Sequence, residues 1–176
     1  MSDARHDLLD RVMAEVLAAG ITDRSLREIA TAIGSSHRML LYHFGSRAEL
    51  VAAIVARVES DQRAVLADLA LDHHDPATLV RELWRQVTRP DVLPFARLFF
   101  ETVAFQSQQP ATAGLTTPWL DTSASVVEQI GMEFNPVDIR LGIAVTRGLL
   151  IDVLVTGELA AATASLERFI ALWTAN

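Results

Sequence analysis

Gly34 and Gly45 enclose the run GSSHRMLLYHFGSR and leave room between them for a helix of only about eight residues. Ser36 is placed to cap its start, accepting a hydrogen bond from an early backbone N–H, and Gly45 can take the left-handed conformation that ends it. Ser46 then opens the next helix, with Glu49 three residues on, the spacing of a capping box. A rod this short falls well below the roughly 12–15 residues needed for marginal stability in isolation. Longer elements must therefore brace it, and its outward face is there to be presented.

Every strong periodic signal along the chain is helical, and no alternating strand pattern competes with it. Leu8, Leu9, Val12, Met13, Val16 and Leu17 form an apolar stripe that ends at Gly20. Ser25-Leu26-Arg27-Glu28 is another capping box, opening a short helix with Leu26, Ile29, Ala30 and Ile33 inward until Gly34 stops it. A long helix is expected from Ser46 to about Leu69. Asp75-Pro76, Thr117-Pro118 and Asn135-Pro136 each set a capping residue before a proline at the first helical position, where its missing N–H costs nothing. A further helix near 91–106 has its start blurred by Pro94, and 106–117 reads as a loop. The last two helices run from Val137 to Val155, ended by Gly157, and through the stripe Leu166, Phe169, Ile170 and Trp173. The expectation is an all-α chain of about nine helices.

Charge divides that chain. Each of its fifteen basic residues is arginine. Residues 1–47 hold six arginines and six acids, whereas residues 48–176 hold nine arginines and sixteen acids, so the whole excess of −7 lies beyond the opening stretch. The absence of cysteine rules out disulfides, thiolate catalysis and thiolate metal sites. The start MSDARHDLLD lacks the basic flank and apolar run of a signal peptide, and the most apolar segment is broken by Arg147 and Asp152; a cytoplasmic protein is expected. His73-His74-Asp75 is the nearest approach to a metal-ligand cluster, but it offers too few donors, and no metal or cofactor is expected.

On a helical wheel at 100° per residue, Leu40 and Phe44 share one side of the short helix, and Arg38, Met39 and Tyr42 share the other. Two short helices joined at Gly34-Ser35, the second displaying a guanidinium, a thioether and a phenol, match the helix-turn-helix pattern whose second helix enters the DNA major groove. The span TDRSLREIATAIGSSHRMLLYHFGSRAELVAAI resembles the DNA-binding domain of TetR-family transcriptional regulators, through Ile29-Ala30, Gly34, Ser36, Leu40, Tyr42, His43, Phe44, Ser46, Glu49 and Leu50. It departs from that pattern at Ser35, at His37-Arg38-Met39, at Leu41 and at Arg47, which leaves the scaffold in place but not the DNA sequence preference. The resemblance implies a helix-turn-helix domain over 1–47 and a ligand-binding and dimerisation domain over 48–176.

Physical roles can be set beside it. Arg38 has the fork for guanine O6 and N7, and Met39 can pack on a thymine methyl. Tyr42, His37 and Arg47 suit phosphates, and Ser36 adds helix N-terminal N–H groups; His43 is the remaining candidate on this helix. Beyond the reading head, Trp84, Phe95, Phe99, Phe100, Phe105 and Trp119 form an aromatic set, with Glu101, Arg97, Gln106 and Gln108 as polar groups to orient a small hydrophobic or aromatic effector. Such aromatics also suit a core, and Arg97 and Glu101 stand four apart on one helix, where they can pair with each other. The helix over 137–155 is apolar nearly all round, with Gly142 and Gly148 allowing close approach, so a homodimer through the eighth and ninth helices is expected. The resulting expectation is an effector-released, DNA-binding repressor on a pseudo-palindromic double-stranded operator. Its rival is an all-helical carrier of small molecules or lipids whose helix-turn-helix is structural. No nucleophile–base spacing or phosphate-binding glycine loop points to an enzyme.

Overall fold

A computed structural model describes residues 2–20, 24–106, 116–133 and 135–175, with the side chains of residues 2 and 101–106 outside that description. Among the described residues there are nine α-helices and no strand: α1 (Ser2–Ala19), α2 (Leu26–Ala32), α3 (His37–Phe44), α4 (Arg47–Asp72), α5 (Pro76–Val87), α6 (Leu93–Gln106), α7 (Thr117–Gln129), α8 (Pro136–Thr156) and α9 (Leu159–Trp173). The all-α, nine-helix expectation holds.

Local chemistry sets most boundaries. Ser25 accepts from the Glu28 N–H while the Glu28 carboxylate takes the Ser25 N–H at 2.8 Å, a complete capping box. Asp75 and Asn135 cap α5 and α8 ahead of their prolines as expected. Two caps differ from expectation. At Ser46 only half of the box forms: its hydroxyl accepts from Glu49 N–H at 3.1 Å, but its own N–H turns to the Phe44 carbonyl at 2.8 Å. The tight turn at Gly45 (φ +74°) makes that backbone bond available, and Glu49 folds over the glycine, where a β-carbon would collide with its carboxylate. At α7, Thr117 is already helical, and Thr116 supplies no side-chain cap because its hydroxyl accepts from Arg147 Nη1 at 2.9 Å.

Three apolar clusters hold the helices. The first gathers Leu8, Val12, Ile29, Leu40, Phe44, Leu50 and Ile54 from α1 to α4, and reaches Phe95, Leu98 and Phe99 of α6. The second joins α5 to α8 and α9 through Trp84, Leu150, Val153, Leu166 and Ile170. The third sets Leu66 and Ala70 of α4 against Leu79 and the α7 residues Trp119 and Val126. Helix α4 thus runs from the short-helix unit into the centre of the later helices.

Candidate nucleic-acid interface and effector cavity

The short helix α3 is anchored by its inner face. Leu40 is 0% exposed and Phe44 is buried beside it, so α3 is fixed against α1, α2 and α4 by burial that it could not supply alone. Its Ser36 cap accepts from Met39 N–H at 3.2 Å. Arg38, Met39 and Tyr42 face solvent, Tyr42 at 68% exposure; His37 and His43 are half-buried. The His43 ring meets that of Tyr42 edge-on, with centroids 5.0 Å apart. The face assigned outward by the helical wheel is outward.

Two arginines that sequence reasoning passed over lock this unit from α1. Arg5 donates from Nε to the His43 carbonyl at 3.3 Å and lays its guanidinium 4.9 Å from the Phe44 ring centroid. Arg11 donates to the Ile33 carbonyl at 3.2 Å. Both cations therefore meet carbonyls at helix C-terminal ends, where the helix dipole favours positive charge. Arg47 is also engaged structurally: its Nε donates to the Arg24 carbonyl at 2.8 Å, tying the start of α4 to the residue before the α2 cap. No sequence signal separates these contacts from solvated arginines.

Between α4, α5, α6, α7 and α8 lies a cavity of about 170 Å³. Its walls are mainly aliphatic and aromatic, and Phe95, Phe99 and Trp119 are among them. Trp84 and Phe100, expected with them, are not. Trp84 is buried between α5 and α9 with its Nε1 donating to Thr163 at 2.9 Å, and Phe100 fills the seam between the first and second clusters. Helical spacing puts these aromatics on the same side of the fold without saying which ring meets empty space. Glu101 and Phe105, with Gln106 and Gln108, lie outside the described side chains. Trp173 of α9 lines the cavity and was not anticipated there.

The cavity's polar groups come from distant parts of the chain. Glu59 of α4 accepts from Trp119 Nε1 at 2.6 Å and lies 3.6 Å from Arg147 of α8. Burial holds the Glu59 carboxyl above the usual Glu range, against the pull of the Trp119 hydrogen bond and the Arg147 charge. Burial likewise lowers Arg147, with Glu59 opposing. The Arg147 guanidinium also sits 4.9 Å from the Phe99 centroid. Gln62, one turn further along α4, carries a buried Oε1 that accepts no hydrogen bond from any described residue.

No family model and no curated protein sequence matches the chain. Solved structures do. A TetR-family transcriptional regulator from Pectobacterium atrosepticum superposes with a TM-score of 0.79 at 16% identity, over 96% of this chain and 93% of that one. This is the TetR-family fold. SmeT, the repressor of the Stenotrophomonas maltophilia multidrug efflux pump SmeDEF, shares it with a TM-score of 0.67 at 18% identity, covering 99% of this chain and 90% of its own. So does the multidrug binding protein EbrR complexed with ethidium, with a TM-score of 0.67 at 22% identity over 96% and 99% of the two chains. Within this TetR fold, α2 and α3 are the helix-turn-helix and the cavity lies among the later helices. No single described helix is long and apolar enough to cross a membrane, and no three described His, Asp or Glu side chains gather as a metal site.

Proposed function

We propose that the protein is an effector-released, DNA-binding repressor that acts as a homodimer, with residues 1–47 reading the operator and residues 48–176 binding effector and partner subunit. The observation that carries this reading is the short helix α3, buried through Leu40 and Phe44 while Arg38, Met39 and Tyr42 stand free of the protein's body. Arg38 and Met39 meet base edges; Tyr42, His37, His43 and the Ser36 helix start hold phosphates, and Arg47, already bound to the Arg24 carbonyl, has the smallest share. Two such helices in a dimer address half-sites roughly 34–36 Å apart on a pseudo-palindromic duplex.

The exposed side of α8 supports the dimer. Val137, Leu141, Ala144, Gly148, Ile151 and Val155 recur at alternating steps of four and three, all of them exposed. That is the spacing of a helix-packing seam, and no described residue covers it. Helix α9 adds an exposed Leu172.

Effector response follows from shared walls. Val55, Phe95 and Phe99 line the cavity and also belong to the cluster under α3, so an occupant that shifts them biases the reading head. A 100-fold loss of operator affinity needs about 2.7 kcal/mol of differential binding, within the range of ordinary allosteric coupling. The fold is shared with a repressor and with a protein bound to a small aromatic molecule, in keeping with this reading.

The test is duplex binding by the full chain on fragments selected from a random DNA pool. Arg38→Ala should weaken binding to the selected site by roughly 10-fold or more, a cost of about 1–3 kcal/mol, and relax preference at one base pair. Tyr42→Phe should cost a smaller factor across all sequences. Unchanged affinity and salt slope in both variants would remove α3 as the reading element and favour the carrier.

A further inference from the structure

The chemistry of the cavity narrows what it can hold. By volume it is close to the ~150 Å³ apolar cavity that takes one benzene, so one ring or a small fused pair fits with modest side-chain adjustment. Its two central charges are already satisfied. Glu59 has Trp119 and Arg147, and Arg147 has Glu59, the Thr116 hydroxyl and the face of Phe99. Asp138 also reaches the wall, but from the first turn of α8, where the helix N-terminus offsets a carboxylate. An ionic ligand would leave its hydration behind and find no unpaired counter-charge in return. Gln62 is different: the residue lines the cavity, and its Oε1, itself buried, accepts from no described group.

We propose that the cavity selects an uncharged one- or two-ring apolar molecule carrying a hydrogen-bond donor, a phenolic O–H or a ring N–H, seated with that donor on Gln62 Oε1. This rests on the effector reading above and deepens it. A donor there gives that oxygen a hydrogen bond it does not make to any described group, so occupancy gains both the hydrogen bond and the burial of apolar ligand surface. A ligand with only an acceptor gains the burial alone.

Calorimetric titration of the full chain with four matched probes tests this. 2-Naphthol supplies the donor, 2-methoxynaphthalene lacks it, 2-naphthalenesulfonate is the anion and N-methylquinolinium the cation. 2-Naphthol should bind about 10-fold tighter than its methyl ether, and both ions should bind at least about 10-fold weaker than 2-naphthol. In Gln62→Met, which keeps the length of the side chain and removes the unserved oxygen, 2-naphthol should fall to the level of the methyl ether while the ether is unchanged. That unchanged ether affinity doubles as the check that the variant's cavity is intact. Equal binding of naphthol and ether, tighter binding of either ion, a naphthol preference that survives Gln62→Met, or no binding of any probe would overturn the assignment. If naphthol binds as described but leaves duplex affinity untouched, the selectivity stands and the effector role falls.

Discussion

Helices α3 and α8 each bury one face and leave the other open, yet the open faces are chemically opposite. On α3 it carries a guanidinium, a thioether and a phenol on a rod of eight residues; on α8 it is a run of Val, Leu, Ala, Gly, Ile and Val along 21 residues. An apolar seam is stabilised by area removed from water and has little directional demand, so it suits a second copy of the same surface. A short mixed face buries too little area for that. Its value lies in directed hydrogen bonds and charge, which fit base edges and phosphates. The difference teaches that exposure alone does not name a partner; the balance between area and directed polar groups does.

The sharpest way to separate the two faces of α3 is to truncate one residue from each. Leu40→Ala should destabilise the protein by about 2–5 kcal/mol in urea unfolding, because Leu40 is 0% exposed and its neighbours cannot all collapse into the space. Tyr42→Ala should stay within about 0.5 kcal/mol of the parent while duplex binding drops. Equal stability losses would mean that the phenol is structural. For α8, Ile151→Glu places a charge in the middle of the apolar seam and should raise the dimer dissociation constant by roughly 100-fold, about 2.7 kcal/mol, as read by sedimentation. A dimer indifferent to that charge would move the subunit contact elsewhere and break the contrast drawn here.

The contact between Glu59 of α4 and Arg147 of α8 gives a smaller, pH-dependent effect. Burial raises Glu59 in the folded state above its unfolded value, so its contribution to stability is full below the ordinary Glu range and declines as pH rises through the raised folded value. Relative to Glu59→Gln, the parent should therefore lose stability with rising pH over that interval. Arg147→Met removes the opposing charge, pushes Glu59 higher still, and should cost ~1–3 kcal/mol at neutral pH, less than the ~3–5 of a fully dry pair. Urea midpoints collected across the pH series decide the matter: a parent and a Glu59→Gln variant that run parallel would show that the carboxyl does not titrate in this window.

What was legible in the sequence was local. Ser25, Ser36, Asp75 and Asn135 announce helix starts because a cap needs only its own next few residues, and Gly45 announces a stop for the same reason. The orientation of α3 followed from its period. The α7 start falls at Thr117 as read, but Thr117 is already helical and the N-cap is Thr116, whose hydroxyl accepts from Arg147, 31 residues away, rather than from its own helix. Glu59 meets Trp119 across 60 residues, and Gln62 acquires meaning only when α7 and α8 close over it. Trp84 and Phe95 have the same apolar character in the sequence; tertiary packing alone sends one to a core seam and the other to the cavity wall.

The wall that the cavity shares with the core under α3 limits how this chain can acquire new chemistry. Val127, Ile130, Ile139 and Ile143 on the α7–α8 side touch the cavity without belonging to that core, so they can be exchanged to reshape the cavity at little risk to the packing under α3. Val55, Phe95 and Phe99 have no such latitude. Divergence among descendants of this chain should therefore be lopsided, fast on one flank of the chamber and slow on the other, with the slow flank recording how the cavity is joined to the packing under α3.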